Sequence, residues 1–148
     1  MFYRIMLLSL AVLVLFTAGC RTGEYKGDLE IYEAMPGLLE QNPDIVKNLA
    51  RNEDGSLRVE FEKGEMRLWM REGSDMDVTA RQDAASDAFE IFHAQYMQSE
   101  KVKKENGDFY REKITLKSYV DDIELYVLEW DLKSENPNVL NNREGNFF

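Results

Sequence analysis

The sequence contains a single cysteine and a single histidine, Cys20 and His93. A lone cysteine cannot form a disulfide within the chain, so the fold depends on its hydrophobic core, for which 148 residues are enough. A lone histidine cannot supply a site with two histidine ligands, and it is the one side chain that could serve as the base of a triad. A glycine-rich phosphate-binding loop is also missing from the sequence. We therefore expect no catalytic residue, no metal and no cofactor.

Basic residues are scarce, with 18 against 28 acidic residues and a net charge of −10. This balance repels phosphate backbones, so nucleic acid is not expected as a partner. Carboxylate pairs act as acid and base only where a cleft separates their pKa values. The pairs here fall in turns and caps, where aspartate is favoured for local hydrogen bonds. They are Glu53 with Asp54, Asp75 with Asp77, and Asp121 with Asp122.

One long apolar run is present, and it lies near the amino terminus at residues 5–16. At about 1.5 Å per residue the run is too short to cross a bilayer comfortably. It follows Arg4 and has the length of the apolar part of a signal peptide. The small residues 17–19 then lead directly to Cys20.

The stretch Ala18-Gly19-Cys20 resembles the lipobox of bacterial lipoproteins, although Thr17 stands where that class usually has Leu. The resemblance covers the first twenty residues. It implies removal of a signal peptide at residues 1–19 and attachment of acyl chains such as palmitate to Cys20. Two or more chains would form a lasting membrane anchor. An ordinary secretory signal cut after Gly19 is the alternative.

The residue after the cysteine bears on which membrane holds the anchor. Arg21 replaces the Asp that retains some bacterial lipoproteins at the inner membrane, so the resemblance points to the outer membrane in cells that have one. Residues 20–28 are then the lipidated cysteine and a polar tether. We expect a single domain over residues 29–133 and an irregular tail over residues 134–148.

The first part of the domain, residues 29–51, is predicted to be helical. Leu29, Tyr32 and Met35 would share one face, and Pro36-Gly37 would interrupt the helix. Asn42 before Pro43 is a typical helix start, with an N-cap residue followed by proline at the first helical position.

A first hairpin is predicted over residues 57–70, where apolar and charged side chains alternate. Lys63-Gly64 would form its two-residue turn, since Gly64 can adopt the positive φ that such a turn needs. A slip of one residue would mix the two faces, so the pattern fixes the register. The apolar pairs are Phe61 with Met66, Val59 with Leu68, and Leu57 with Met70; Glu60 with Arg67 and Arg58 with Trp69 lie on the other face.

A long helix is predicted over residues 79–105. Thr79 and Gln82 could form a capping box, and Asn106-Gly107 would end the helix. An apolar stripe at steps of three and four residues should pack across the sheet, with Phe89 and Phe92 against Phe61 and Leu68. His93 lies beside this stripe and is expected on the helix surface. The stripe is Ala85, Ala88, Phe89, Phe92 and Tyr96.

A second hairpin is predicted, with strands near 110–120 and 123–133 and a turn at Asp121-Asp122. Its apolar face would carry Val120, Ser118, Leu116 and Ile114 beside Ile123, Leu125 and Val127. Its other face would carry Tyr119, Lys117 and Lys113 beside Glu124, Tyr126, Leu128 and Trp130, with Trp130 opposite Lys113.

These elements predict an α+β fold. We expect an antiparallel sheet of two hairpins, with the long helix and the shorter amino-terminal helical segment on one of its faces. The order of elements also fits an αββ unit used twice.

The other face of the two hairpins supplies candidate partner-binding residues, because Trp, Tyr and Arg dominate interface hot spots. Alternatively, the first helical segment or the tail covers this face and makes it a second core layer. The candidates are Trp130, Tyr126, Tyr119 and Lys113 on the second hairpin, and Trp69 and Arg58 on the first.

Together these features predict a membrane-anchored, non-enzymatic binding or assembly module of the bacterial envelope with a protein partner. A small envelope hydrolase is the first alternative, and two carboxylates converging in one cleft would favour it. An inhibitor or immunity protein is the second, and acidic residues gathered on one flat face would favour it.

Overall fold

The structure, a computed structural model, describes residues 26–72, 77–99 and 111–143. Helices pack on one face of a five-stranded sheet, which confirms the α+β class and the order helix, hairpin, helix, hairpin. The helices are α1 (Lys26–Glu40), α2 (Pro43–Val46) and α3 (Val78–Gln98). The strands are β1 (Val59–Glu62), β2 (Glu65–Trp69), β3 (Lys113–Val120), β4 (Ile123–Asp131) and β5 (Asn138–Asn142).

The sheet has the strand order β1-β2-β3-β4-β5, and it is mixed. The prediction of an antiparallel sheet is wrong at its centre, because β2 and β3 are parallel. Parallel neighbours need a long crossover, and α3 lies in the connection between these two strands. The irregular tail is also a wrong prediction, since residues 138–142 form β5 and pair with β4.

Helix α1 begins at Lys26, inside the predicted tether, and runs through Pro36 without the predicted break. Met35 and Leu39 on either side of the proline are fully buried, and this burial offsets the cost of the backbone hydrogen bond that proline cannot make. Leu29 is 46% exposed, so it does not share the buried face as predicted; Asp28 occupies that face instead. The predicted restart is confirmed, with Asn42 as N-cap and Pro43 first in α2.

The first hairpin has the predicted turn and strand register. Lys63 and Gly64 both have positive φ, of 49° and 81°, as a type I′ turn requires. Val59 pairs with Leu68 and Phe61 with Met66, and Glu60 pairs with Arg67 on the other face. The predicted pair of Leu57 with Met70 is wrong, because residues 49–51 lie between them and bridge to both.

Helix α3 starts one residue before the predicted start. The Asp77 carboxylate accepts a hydrogen bond from the Thr79 backbone N–H, so Asp77 is the N-cap and the predicted capping box is wrong. Gln82 donates instead to Asn142 of β5. The five residues of the predicted stripe are all buried. The helix ends at Gln98 with Ser99 as its C-cap, so the predicted end at residue 105 is wrong; Asn106-Gly107 lies outside the described residues.

The second hairpin turns at Asp121-Asp122 as predicted, but its register shifts by one residue between Ser118 and Tyr119. Ser118 faces Tyr126 and Tyr119 faces Glu124, so Leu125 is the extra residue of a β-bulge. Every later residue of β4 is thereby moved to the opposite face. Trp130 consequently pairs with Ile114, and the prediction that it lies opposite Lys113 is wrong.

The core lies between the sheet and the helices α1 and α3. The predicted cluster is confirmed there: the Phe61 and Phe92 ring centroids are 5.8 Å apart, and Leu68 and Phe89 are fully buried. Tyr32 of α1 stacks on Phe61 at 5.2 Å and joins both helices to the first hairpin. Among the described helices, none is long and apolar enough to span a bilayer.

Candidate partner-binding surface

Two of the six predicted partner-binding residues belong to the core. Trp130 is 7% exposed and Tyr126 is 9% exposed, both on the face of the sheet that the helices cover. The bulge in the second hairpin explains the error, because it turns both side chains inward. These two residues are therefore removed from the candidate surface.

Trp130 packs against α3. The His93 ring stacks on its indole with centroids 3.7 Å apart and planes 6° apart, and Phe89 contacts it at 5.6 Å. The indole Nε1 donates to the Ser134 carbonyl at 3.2 Å. The prediction of a surface histidine holds only in part: the His93 side chain is half-buried, its Nε2 has no hydrogen-bond partner among the described residues, and burial lowers the pKa of the ring.

Three other candidates form one cluster on the face of the sheet opposite the helices. The Trp69 and Tyr119 rings stack at 5.2 Å with planes 20° apart, and the Arg58 guanidinium lies 4.7 Å from the Trp69 ring centroid. The Trp69 indole also donates to the Asp121 carbonyl at 3.0 Å. All three side chains are half-buried. We call Arg58, Trp69 and Tyr119 the sheet-face cluster.

Alternating charges fill the rest of this face. Arg67 lies within 4.0 Å of three carboxylates, those of Glu60, Glu62 and Glu65, and Lys117 contacts Glu65 at 2.8 Å. Burial raises the pKa of Glu65, but the hydrogen bonds from Lys117 and Arg67 outweigh it and hold that pKa below its ordinary value. The remaining candidate, Lys113, is also on this face and pairs with Glu129 at 2.8 Å. The face is thus rich in charge, with its carboxylates interleaved among bases.

A buried polar network that the sequence reasoning missed joins α1, α3 and the start of β3. Asp28 is fully buried; it accepts a hydrogen bond from the Tyr96 hydroxyl at 2.6 Å and pairs with the Arg111 guanidinium at 2.6 Å. Tyr32 hydrogen-bonds Tyr96 and accepts from the Gly64 backbone N–H. Burial, reinforced by the hydrogen bond to Asp28, raises the pKa of Tyr96 far above its ordinary value.

A signal for Asp28 was present in the sequence. It lies at the spacing of a buried helix face with Ile31, Tyr32 and Met35, where an apolar residue is expected. Each oxygen of this carboxylate has a charged or hydroxyl partner, so Asp28 acts as a structural element that holds α1 to Tyr96 and Arg111.

The predicted carboxylate pairs have local roles where the structure describes them. Asp54 accepts from the Ser56 backbone N–H at 2.9 Å in a turn, and Asp77 caps α3. Asp121 has a φ of 51° in the hairpin turn, and its side chain raises the pKa of Glu72 through a hydrogen bond. Asp75 lies outside the described residues, as does Cys20.

Three other carboxylates line one open groove between α2 and α3. The groove has a volume of about 440 Å³. Asp44 of α2 and Asp87 and Glu90 of α3 are exposed at its rim. Within residues 26–72, 77–99 and 111–143, no three ligand-type side chains approach closely enough to hold a metal ion.

The chain matches no protein-family model, no curated protein and no solved structure.

Proposed function

We propose that this chain is a lipid-anchored protein of the bacterial cell envelope whose domain binds a partner protein rather than catalysing a reaction. The anchor is supported by Cys20, which follows a short apolar run and the small pair Ala18-Gly19. Several acyl chains on Cys20 would hold the domain at the membrane surface. Arg21 favours the outer membrane in cells that have one.

One observation carries the proposed binding role: the sheet-face cluster is already assembled on the face opposite the helices. Trp69 is held by stacking on Tyr119, by Arg58 and by its hydrogen bond to Asp121. Side chains that are fixed before binding lose little entropy when a partner arrives. Trp, Tyr and Arg are common interface hot spots, so this cluster is suited to the centre of a protein interface.

The geometry favours a protein over a glycan as the partner. A sugar ring binds an aromatic side chain by stacking on an open ring face. One face of Trp69 is covered by Tyr119, and Arg58 also lies over the ring. The indole N–H is already used by Asp121. The cluster offers half-exposed aromatic side chains beside the charged residues of the sheet face, which matches the aromatic centre and polar rim of a protein interface.

The alternatives receive less support. A hydrolase needs carboxylates whose pKa values are separated by burial, whereas the three at the groove are exposed. An inhibitor of a basic enzyme needs a flat acidic face. The carboxylates of the sheet face are instead paired with Arg67, Lys117 and Lys113.

The anchor is tested by growing cells on a labelled fatty acid. Wild-type protein should carry the label and remain with membranes, and Cys20→Ser should carry none and leave the membrane fraction or fail to mature. An unlabelled wild-type protein would contradict lipidation.

The binding face is tested separately with a photo-crosslinking residue at Glu60, which is exposed on the same face as the cluster. The same residue at Glu33, exposed on α1, is the matched control. We expect one defined adduct from position 60, lost when Arg58 and Tyr119 are replaced by serine. Identical adduct patterns from positions 60 and 33, or an adduct that survives those replacements, would contradict the proposal.

A further inference from the structure

The groove between α2 and α3 combines an apolar floor with an acidic rim. Buried Ile45 and half-buried Ile91 and Ala94 form the floor, and Pro43 extends it on the α2 side. Its volume of about 440 Å³ falls in the range of binding pockets, about 300–1,000 Å³. The space is sufficient for one or two apolar side chains, with a backbone lying across the opening.

The charge on the rim has a single sign. Asp87 and Glu90 are three residues apart on α3, a spacing that places them on the same side of the helix. Among the described residues, neither takes part in an ion pair. Asp44 stands across the groove and contacts Lys47, but side-chain exposures of 91% and 62% make this a weak pair that an incoming cation could replace.

This arrangement differs from that of the sheet face. There, Arg67 alone lies near three carboxylates, Lys117 shares one of these, Glu65, and Lys113 pairs with Glu129. At the groove, no basic side chain belongs to the lining. The rim therefore places negative charge next to apolar surface, which suits a basic and partly apolar ligand.

We propose that the α2–α3 groove binds a peptide segment of a partner protein in which one or two apolar side chains are flanked by Lys or Arg. The apolar side chains rest on Ile45, Ile91 and Ala94, and the flanking cations reach Asp87 and Glu90 on one side and Asp44 on the other. The site is independent of the sheet-face cluster, because the helices and that cluster lie on opposite faces of the sheet. It therefore goes beyond the function proposed above.

The test uses a short labelled peptide in which leucines alternate with arginines, and a matched peptide with serine in place of leucine. Binding to the protein is followed by fluorescence anisotropy at low ionic strength. The wild-type protein should bind the leucine peptide more tightly than the serine peptide. Replacing Asp87→Asn with Glu90→Gln should weaken binding of the leucine peptide about fivefold, as the loss of two solvent-exposed ion pairs predicts.

Two further variants separate the groove from general acidity. Glu33→Gln with Glu53→Gln makes the same change in net charge at exposed positions outside the groove and should leave the affinity nearly unchanged. Ala94→Arg places a cation four residues after Glu90, a spacing that suits a helix, and should occupy the groove and reduce binding at least as much.

Unchanged far-UV circular dichroism and urea midpoints show that each variant is folded before it is compared. Equal weakening by the Glu33 and Glu53 pair, or equal affinity of the wild-type protein for the two peptides, would overturn the proposal. So would an absence of binding to the wild-type protein.

Discussion

Replacing Asp28 by Asn tests how the first turn of α1 is held in the fold. The substitution keeps the shape of the side chain but removes its charge, while the Arg111 guanidinium, with 14% of its side chain exposed, stays in place. The amide can still accept one hydrogen bond, but it cannot accept from both Tyr96 and Arg111 with two charged oxygens.

The cost follows from the burial of the pair. Removing one partner of a buried ion pair typically costs about 3–5 kcal/mol, because the other charge is left uncompensated. The partial exposure of Arg111 lets water solvate part of that charge, so we expect a loss near the low end, about 3 kcal/mol. Tyr96→Phe removes one hydrogen bond to a charged acceptor and should cost about 1.5–3 kcal/mol.

Urea unfolding followed by circular dichroism gives these free energies directly. Glu33→Gln, an exposed substitution on the same helix, is the control and should stay within about 0.5 kcal/mol of wild type. The double variant Asp28→Leu with Arg111→Met leaves no uncompensated charge, so it should be less destabilised than Asp28→Asn alone. A loss below about 1 kcal/mol for Asp28→Asn, or a double variant at least as destabilised as Asp28→Asn, would refute this account of the network.

Three further substitutions test the core, the pH response and the first hairpin turn. Phe92→Ala removes ring contacts to Phe61 and Phe89 and should cost about 3–5 kcal/mol in urea unfolding. A loss under about 1 kcal/mol would mean that the buried face of α3 is assigned wrongly. Burial lowers the pKa of His93 below the unfolded value of 6.5, so between these two pKa values the unfolded state binds more protons than the folded state. The free energy of unfolding should therefore fall as the pH falls from about 7 through the folded pKa. His93→Phe keeps the stacking on Trp130 and should reduce this slope in urea titrations; equal slopes in the two proteins would contradict the assignment. Gly64→Ala should cost about 1–2 kcal/mol of stability, because Gly64 has a φ of 81° and an added Cβ would lie 2.8 Å from Arg111 Cδ. The control Gly37→Ala adds a Cβ in open space and should be neutral or stabilising.

The sequence predicted the elements with a strong periodic pattern. The first hairpin has charged residues between its apolar ones, so a single register separates the two faces, and the structure has that register through Val59 and Leu68. The stripe of α3 was predicted correctly for the same reason. Residues 125–128 are all apolar, and their alternation therefore could not indicate which face is buried.

Tertiary contacts determined what the pattern left open. The bulge at Leu125 turns Trp130 toward His93 and Phe89, and no local sequence feature required it. The two apolar residues of strand β5 remain more than half exposed, so no hydrophobic pattern indicated this strand in the sequence. The strand is formed by its pairing with β4. The sequence placed Arg58, Trp69 and Tyr119 on the correct face of the sheet. It could not predict the groove, because the grouping of Asp44 with Asp87 and Glu90 depends on how α2 packs against α3.

The parallel pairing of β2 with β3 constrains the order in which this chain can fold. Each hairpin closes locally, but Glu65 and Thr115, which face each other at the centre of the sheet, are fifty positions apart in the chain. Joining the hairpins therefore carries the loop-closure entropy of the whole segment that contains α3. We expect the two hairpins to form early and the pairing of β2 with β3 to form late, so that a newly made chain passes through a stage with two unpaired inner strand edges. Those edges, rather than the outer strands β1 and β5, are where a chaperone would need to act.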